Sequence, residues 1–293
     1  MIKLILNKLF WGFIRHFLSD KQYAKSRYWL TTGSKLNLAK PETFSEKINW
    51  LKLYDRTKLR KRVADRIEVR QFVKERIGAE YLIPLVGTYD KITSDLWEQL
   101  PDQFVLKANH GSGMIRIIKD KKKENLQTIV ELTEEWKRTD YSTFGREWVY
   151  RELPRTIIVE ELMLTGEGDV PEDFKFFCYH GRVEFIQVDF DRYTDQKRNF
   201  YDRSFNKLDM RLLHDNYQGD VDKPEKLNKA IEIAEQLSSD FNFIRVDLYL
   251  MKQRVYFGEM TNFPGNGFEP FIPDHYDRHF GSLLKLDTSG QTA

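Results

Sequence analysis

Residues 240–267 read DFNFIRVDLYLMKQRVYFGEMTNFPGNG, and this stretch decides the fold. Apolar and polar residues alternate over 244–251, a segment rich in Val, Leu and Tyr, and again over 255–260. Lys252-Gln253-Arg254 between them suits a short turn, so the pattern predicts a β-hairpin. Side chains alternate faces along a strand, which puts Arg245 with Asp247 and Glu259 with Thr261. Burying unpaired charge is costly, so core packing does not explain acids and an arginine at strand positions. Two carboxylates facing each other across adjacent strands repel unless a cation lies between them. A hard divalent ion such as Mg²⁺ takes oxygen ligands, usually one or two carboxylates plus substrate phosphates. A salt-bridged surface hairpin is the alternative that this segment by itself leaves open.

Arg-x-Asp on one strand, then Glu-x-(Asn/Thr) and a Pro-Gly turn on the next, resembles the metal-binding end of ATP-grasp ligases. D-alanine:D-alanine ligases carry Glu-x-Asn-Thr-x-Pro-Gly at that point, and this chain has Glu259-Met260-Thr261-Asn262-Phe263-Pro264-Gly265. The resemblance implies Asp247 and Glu259 as metal ligands. Thr261 stands where that family places a ligating Asn, so Thr261 and Asn262 are alternatives for the remaining position.

Upstream, Thr43-Phe-Ser-Glu46 forms a capping box that launches a helix through Lys47, Ile48, Trp50, Leu51 and Leu53. The longer run Pro-x-Thr-Phe-x-Glu-Lys-(apolar)-x-Trp-Leu-Lys over 41–52 is similar to the entry segment of one ATP-grasp branch. That branch is the TupA-like proteins of teichuronopeptide and cell-surface polysaccharide synthesis. Residues 28–39 read as a loop. Ala64-Asp65-Arg66 is expected to open a helix with Val69, Phe72, Val73 and Ile77 on one face and Gly78 at its end. ATP-grasp enzymes begin the corresponding helix with Asp-Lys, whose lysine reaches the ATP phosphates. Arg66 keeps that charge as a planar fork.

Residues 104–113, FVLKANHGSG, predict a short apolar strand carrying Lys107 into a small glycine-rich turn. A buried ammonium needs a counter-charge, and a polyphosphate is one source of it. Backbone N–H groups of such a turn can cradle phosphate oxygens where larger side chains would obstruct. ATP-grasp enzymes place a second ATP lysine and a mobile lid in this order, which implies Lys107, His110, Gly111, Ser112 and Gly113 as nucleotide-binding residues. Residues 156–163, TIIVEELM, predict a buried strand ending in two acids. In the family this is the hinge facing adenine and ribose, which implies Glu160, Glu161 and Met163. Asp173-Phe-Lys175 opens an aromatic strand that turns at His180-Gly181 and returns to Asp191-Arg192, a pattern similar to TupA-like proteins. Asp173 is a candidate for a ribose hydroxyl, and Lys175 for phosphate or acceptor. Arg192 is a candidate for a substrate carboxylate, which its fork binds bidentately. A solvated-surface role stands beside each.

The chain has 293 residues, 41% apolar and 31% charged, with a net charge of +2. That describes a globular protein able to bury a sizeable core, and it argues against an obligate nucleic-acid partner. The single cysteine, Cys178, excludes an internal disulfide, suits a reducing compartment and lies in an apolar strand. Residues 1–18, MIKLILNKLFWGFIRHFL, predict a helix with one narrow polar stripe. It is shorter and more charged than the ~20 apolar residues that span a bilayer. No small-residue cleavage site follows it, so a signal peptide is not expected. Contact with an anionic membrane surface and docking on the rest of the protein are its two readings. His275 and His279 share helical spacing without the third ligand that a zinc site needs.

Taken over residues 25–286, the resemblance implies an α+β ATP-grasp fold in which two α+β lobes clasp ATP. Residues 1–60 form a helical N-terminal extension, 61–159 the lobe with the lysine strand, 160–286 the lobe with the metal hairpin, and 287–293 a flexible tail. The implied activity is ADP-forming carboxylate–amine ligation through an acyl phosphate, with ATP and Mg²⁺ as cofactors. Arg66, Lys107 and the glycine turn would hold phosphates, Arg245 would stabilise the transferring group, and Arg192 would complete the catalytic set. The implied partners are a uronic-acid-containing glycan or its precursor and an amino acid or amine, in the cytoplasm or at the inner face of the cell membrane. A rival reading is a metal-dependent glycosyltransferase of capsule or O-antigen synthesis, from Asp189-Phe-Asp191 and Asp220-Val-Asp222. A third is a non-catalytic scaffold.

Overall fold

The structure, a computed structural model, describes residues 2–191, 195–252 and 254–287, and the side chains from residue 6 onward. The helices are α1 (Ile2–Gly12), α2 (Asp20–Thr32), α3 (Phe44–Tyr54), α4 (Lys58–Ala64), α5 (Glu68–Arg76), α6 (Ser94–Gln99), α7 (Leu126–Arg138), α8 (Ser142–Gly145), α9 (Leu227–Ser238) and α10 (His275–Leu283). The strands are β1 (Leu85–Tyr89), β2 (Phe104–Ala108), β3 (Ile115–Ile118), β4 (Ile157–Glu161), β5 (Asp173–Tyr179), β6 (Arg182–Phe190), β7 (Lys197–Asp202), β8 (Arg211–Leu212), β9 (Phe243–Leu250), β10 (Val255–Thr261) and β11 (Phe271–Ile272). A four-stranded antiparallel sheet runs β1-β4-β2-β3, a five-stranded one β10-β9-β5-β6-β7, and β11 pairs with β8. This is the α+β arrangement expected.

The five-stranded sheet owes its place to the alternation along β5, β6 and β9. One face, carrying Phe174, Phe176, Ile186, Val188, Val246 and Leu248, packs on α5 and α9. The opposite face is split along the strands. At one end Phe177, Phe185, Phe200 and Phe243 meet Phe44 of α3 and Phe280 of α10. At the other end the same face turns ionic, with Lys175, Gln187, Asp189, Arg198 and Asp247 all buried. A third core joins Leu106 and Val159 of the smaller sheet to Trp97 of α6 and to Ile129 and Trp136 of α7.

α3 braces this assembly. Thr43 and Glu46 form the expected capping box, and Glu46 also accepts the N–H groups of Asn37 and Glu42. The Lys47 ammonium donates to the carbonyls of Gly281 and Leu284, closing the end of α10. Asn49 donates to the Gly267 carbonyl, and Lys52 donates to Asn266, in the turn directly after β10.

Several expectations are corrected. The N-terminal helix stops at Gly12 and a 3₁₀ turn, Ile14–His16, follows, because glycine is a poor helix former. Residues 28–32 belong to α2, which a Ser19/Gln22 capping box starts and Gly33, at φ 81°, ends. Replacing Ser19 with Ala is expected to cost about 1 kcal/mol, read as a melting temperature lower by roughly 2–4 °C. Asp65 ends α4 and its carboxylate accepts the N–H groups of Ile67 and Glu68, so Asp65 and Arg66 form a joint between two helices. Val63 and the apolar side of α5 pack on the five-stranded sheet, while Arg70 of the same helix reaches Glu160 of the smaller sheet.

Candidate active site

The site begins at the β9–β10 hairpin. Glu259 faces Asp247 and Thr261 faces Arg245, after a register irregularity between Phe257 and Glu259. Gly258 lies in that bulge, where a Cβ would stand 3.0 Å from the Asp247 carbonyl. The cation between the carboxylates is the guanidinium of Arg245. It donates twice to Asp247, at 2.7 Å each, and to Glu259 at 3.2 Å and Thr261 Oγ1 at 3.0 Å. Burial alone would lower the pKa of Arg245, but Asp247 and Glu259 outweigh it and hold the fork firmly charged. Burial raises the pKa of Asp247 against the pull of Arg245 and Lys175.

The ionic face continues across the sheet. Lys175 lies beside Asp247 in register, its Nζ 3.0 Å from Asp173, 3.2 Å from Asp189 and 3.7 Å from Asp247. Asp189 also accepts from Arg198 at 2.6 Å and from Gln187 at 3.0 Å. Desolvation would raise Asp189, yet Lys175 and Arg198 hold it far below the usual carboxylate range. Lys175 is therefore committed to three aspartates rather than projecting freely towards a phosphate. The Asp-x-Asp reading of Asp189 meets the same obstacle, while Asp220 and Asp222 are exposed ahead of α9.

Lys107 comes from the other sheet. Its Nζ lies 2.5 Å from Glu160, whose second oxygen is 2.7 Å from Arg70. Glu160 thus supplies the counter-charge that the buried lysine requires, and its side chain faces Lys107. Burial would raise Glu160, but Lys107 and Arg70 bring it below its ordinary pKa. Arg66 donates to the carbonyls of Ala108 and Gly111 and lies 3.8 Å from Glu259, so it ties the glycine turn to the hairpin. Gly111 is required there, since a Cβ would collide with Met114 and the ring of Tyr141. Ser112 and Gly113 are exposed, and Gly113 has φ 77°.

Two expected site residues turn away. His110 is buried under α7, where its Nε2 bonds the Trp136 carbonyl at 2.8 Å. Burial lowers its pKa from the ordinary 6.5. Above that value folded and unfolded chains both carry a neutral ring; below it the unfolded chain gains the proton first and folding loses stability. A His110→Gln variant is expected to lose less melting temperature than the natural chain on acidification below that point, as thermal melts across pH would record. Asn262 is bound on both amide atoms to Arg60, which strand alternation explains, so Thr261 and not Asn262 faces Glu259, at 3.0 Å. Glu161 is exposed at the strand end, and Arg192 lies outside the described residues. Cys178 is buried and its thiol is pushed up to about 12. The sequence reading does not reach Arg70, Gln187 or Arg198, and only Arg70 carries a signal, as a second arginine four positions after Arg66.

Arg66, Arg70, Lys107, Glu160 and Glu259 line one small pocket of about 30 Å³. A cleft of about 1,780 Å³ runs from β3 to the ends of β5, β6 and β9, past Met163, Asp173 and Asp189. Sites for drug-sized ligands measure roughly 300–1,000 Å³, so the cleft exceeds the needs of one nucleotide. Among the described residues no three His, Cys, Asp or Glu side chains form a ready metal cage. Two carboxylates and a hydroxyl gathered round one cationic nitrogen nevertheless fit a hard divalent ion that takes its other ligands from phosphate and water.

The profile of the TupA-like ATP-grasp family matches residues 46–285. Among solved structures, a D-alanine–D-alanine ligase from Bacillus anthracis complexed with ATP is 14% identical, covering 70% of this chain and 55% of its own, with a TM-score of 0.42. The D-alanine–D-alanine ligase from Helicobacter pylori is 13% identical, with coverages of 82% and 67% and a TM-score of 0.41. Biotin carboxylase from Campylobacter jejuni is 16% identical, with coverages of 68% and 40% and a TM-score of 0.37. The chain thus spans from two fifths to two thirds of these structures. No curated protein matches it.

Proposed function

Because the chain belongs to the TupA-like ATP-grasp family, we propose that it is an ADP-forming, ATP-dependent carboxylate–amine ligase. A substrate carboxylate attacks the γ-phosphate, releasing ADP and forming an acyl phosphate. An amine then displaces phosphate to give the amide. The observation that carries this reading is convergence: Lys107 of one sheet and Glu259 of the other line a single pocket, and Arg66 bridges them.

Phosphoryl transfer depends mainly on positioning and on neutralising charge. Lys107, Arg66 and the Gly111–Gly113 turn hold phosphate oxygens, with Lys107 exchanging Glu160 for its ligand. Asp247 and Glu259, with Thr261, would hold Mg²⁺, which when bound neutralises phosphate charge. Arg245 turns its fork to the transferring group. Glu161 and Met163 border the adenine through the backbone, and the cleft past Asp173 takes the acceptor. On the motif at 41–52, the acceptor is a uronic acid of a bacterial surface polysaccharide and the amine an amino acid. Incubation with ATP, Mg²⁺, a uronate and a set of amino acids is expected to release ADP and phosphate in equal amounts, only with both co-substrates. Release of AMP would overturn the acyl-phosphate route.

A further inference from the structure

α1 and the turn after it carry an apolar face that the rest of the molecule does not cover. Leu9, Phe13 and Phe17 recur every four residues and are 51%, 65% and 72% exposed. The rings of Phe13 and Phe17 lie 4.7 Å apart, centroid to centroid. Phe10, beside Leu9, is buried with its ring 5.4 Å from that of Tyr23, so the segment is fastened along its inner edge only. Phe144 extends the face from α8: it is 49% exposed, its carbonyl accepts the Tyr23 hydroxyl, and its ring lies 5.9 Å from the Arg15 guanidinium.

The charge along this N-terminal segment is basic. Over residues 6–25 the one acid is Asp20, and it is engaged by Arg56, Arg146 and Arg151. Lys8, Lys21 and Lys25 are exposed. Apolar side chains bordered by lysines suit the surface of an anionic bilayer, where the rings enter the headgroup boundary and the ammonium groups meet lipid phosphates. A twofold contact with a second copy would set this patch on itself and bring lysines against lysines. We infer that Leu9, Phe13 and Phe17, with Lys8 and Lys21, dock the protein on an anionic lipid surface. No helix of the described residues is long and apolar enough to cross a membrane. The proposal goes beyond the ligase reading and does not depend on it.

Flotation of the full chain tests it, with vesicles of phosphatidylcholine alone and of phosphatidylcholine mixed with phosphatidylglycerol. Binding is expected only to the mixed vesicles, and to weaken as salt approaches ~1 M, where screening shortens to about 3 Å. Phe13→Ser combined with Phe17→Ser is expected to cut the vesicle partition at least about tenfold. Its circular dichroism and melting should match the natural chain. Lys8→Glu with Lys21→Glu gives a second, purely electrostatic variant, expected to abolish the preference for mixed vesicles. The proposal falls if the natural chain binds neither vesicle, or if both variants float as it does. It also falls if light scattering finds a dimer that Phe13→Ser dissolves, which would give the face to a second copy.

Discussion

An Asp247→Asn protein is expected to fold and to lose ADP release by a factor on the order of 10³. The loss follows from charge, because the amide keeps the shape of the carboxylate while removing an anionic oxygen from the hairpin. Folding survives because its partners have other counter-charges. Arg245 keeps Glu259 and Thr261, and Lys175 keeps Asp173 and Asp189. The amide nitrogen meets a guanidinium nitrogen, so stability should still fall by about 1–3 kcal/mol. A coupled ADP assay beside a thermal melt separates the two effects. Turnover within tenfold of the natural chain would remove Asp247 from the chemistry.

The second large effect is expected at Lys107. Lys107→Met keeps much of the volume and leaves Glu160 its contact with Arg70, so the protein should still fold, about 1–3 kcal/mol less stable for the Glu160 oxygen left without its lysine. What disappears is the cation that phosphate would draw away from Glu160. kcat/KM for ATP should drop on the order of 10²–10³, and the thermal shift that saturating ATP gives the natural chain should vanish. An unchanged shift would make the Lys107–Glu160 pair purely structural. The scaffold reading makes the opposite forecast at both positions, namely no nucleotide shift and no loss.

The hairpin, the lysine strand and α3 were legible because each is written locally, in period-two alternation or in a capping box. α2 has its signals in Ser19, Gln22 and Gly33, but it buries only Tyr23, Ala24 and Tyr28, too few to show a helical apolar stripe in the sequence. What could not be read is pairing at a distance. Parity puts Arg245 and Asp247 on one face, but nothing in the stretch says that the guanidinium itself lies between the carboxylates. Glu160 stands 53 positions from Lys107, and only the registry of β2 with β4 brings them together. His110 shows the limit of reading by neighbourhood, since it adjoins the glycine turn in sequence and points beneath a helix in space.

The brace at α3 bears on how defective variants would be interpreted. Lys47, Asn49 and Lys52 touch helix ends and a turn, yet that turn fixes where the strand bearing Glu259 leaves the sheet. Damage at these positions would surface in an enzyme assay as lost activity, more than 200 residues along the chain from its origin. A screen scored on turnover would group them with true ligand contacts, and only a structural readout would tell hinge pins from reagents.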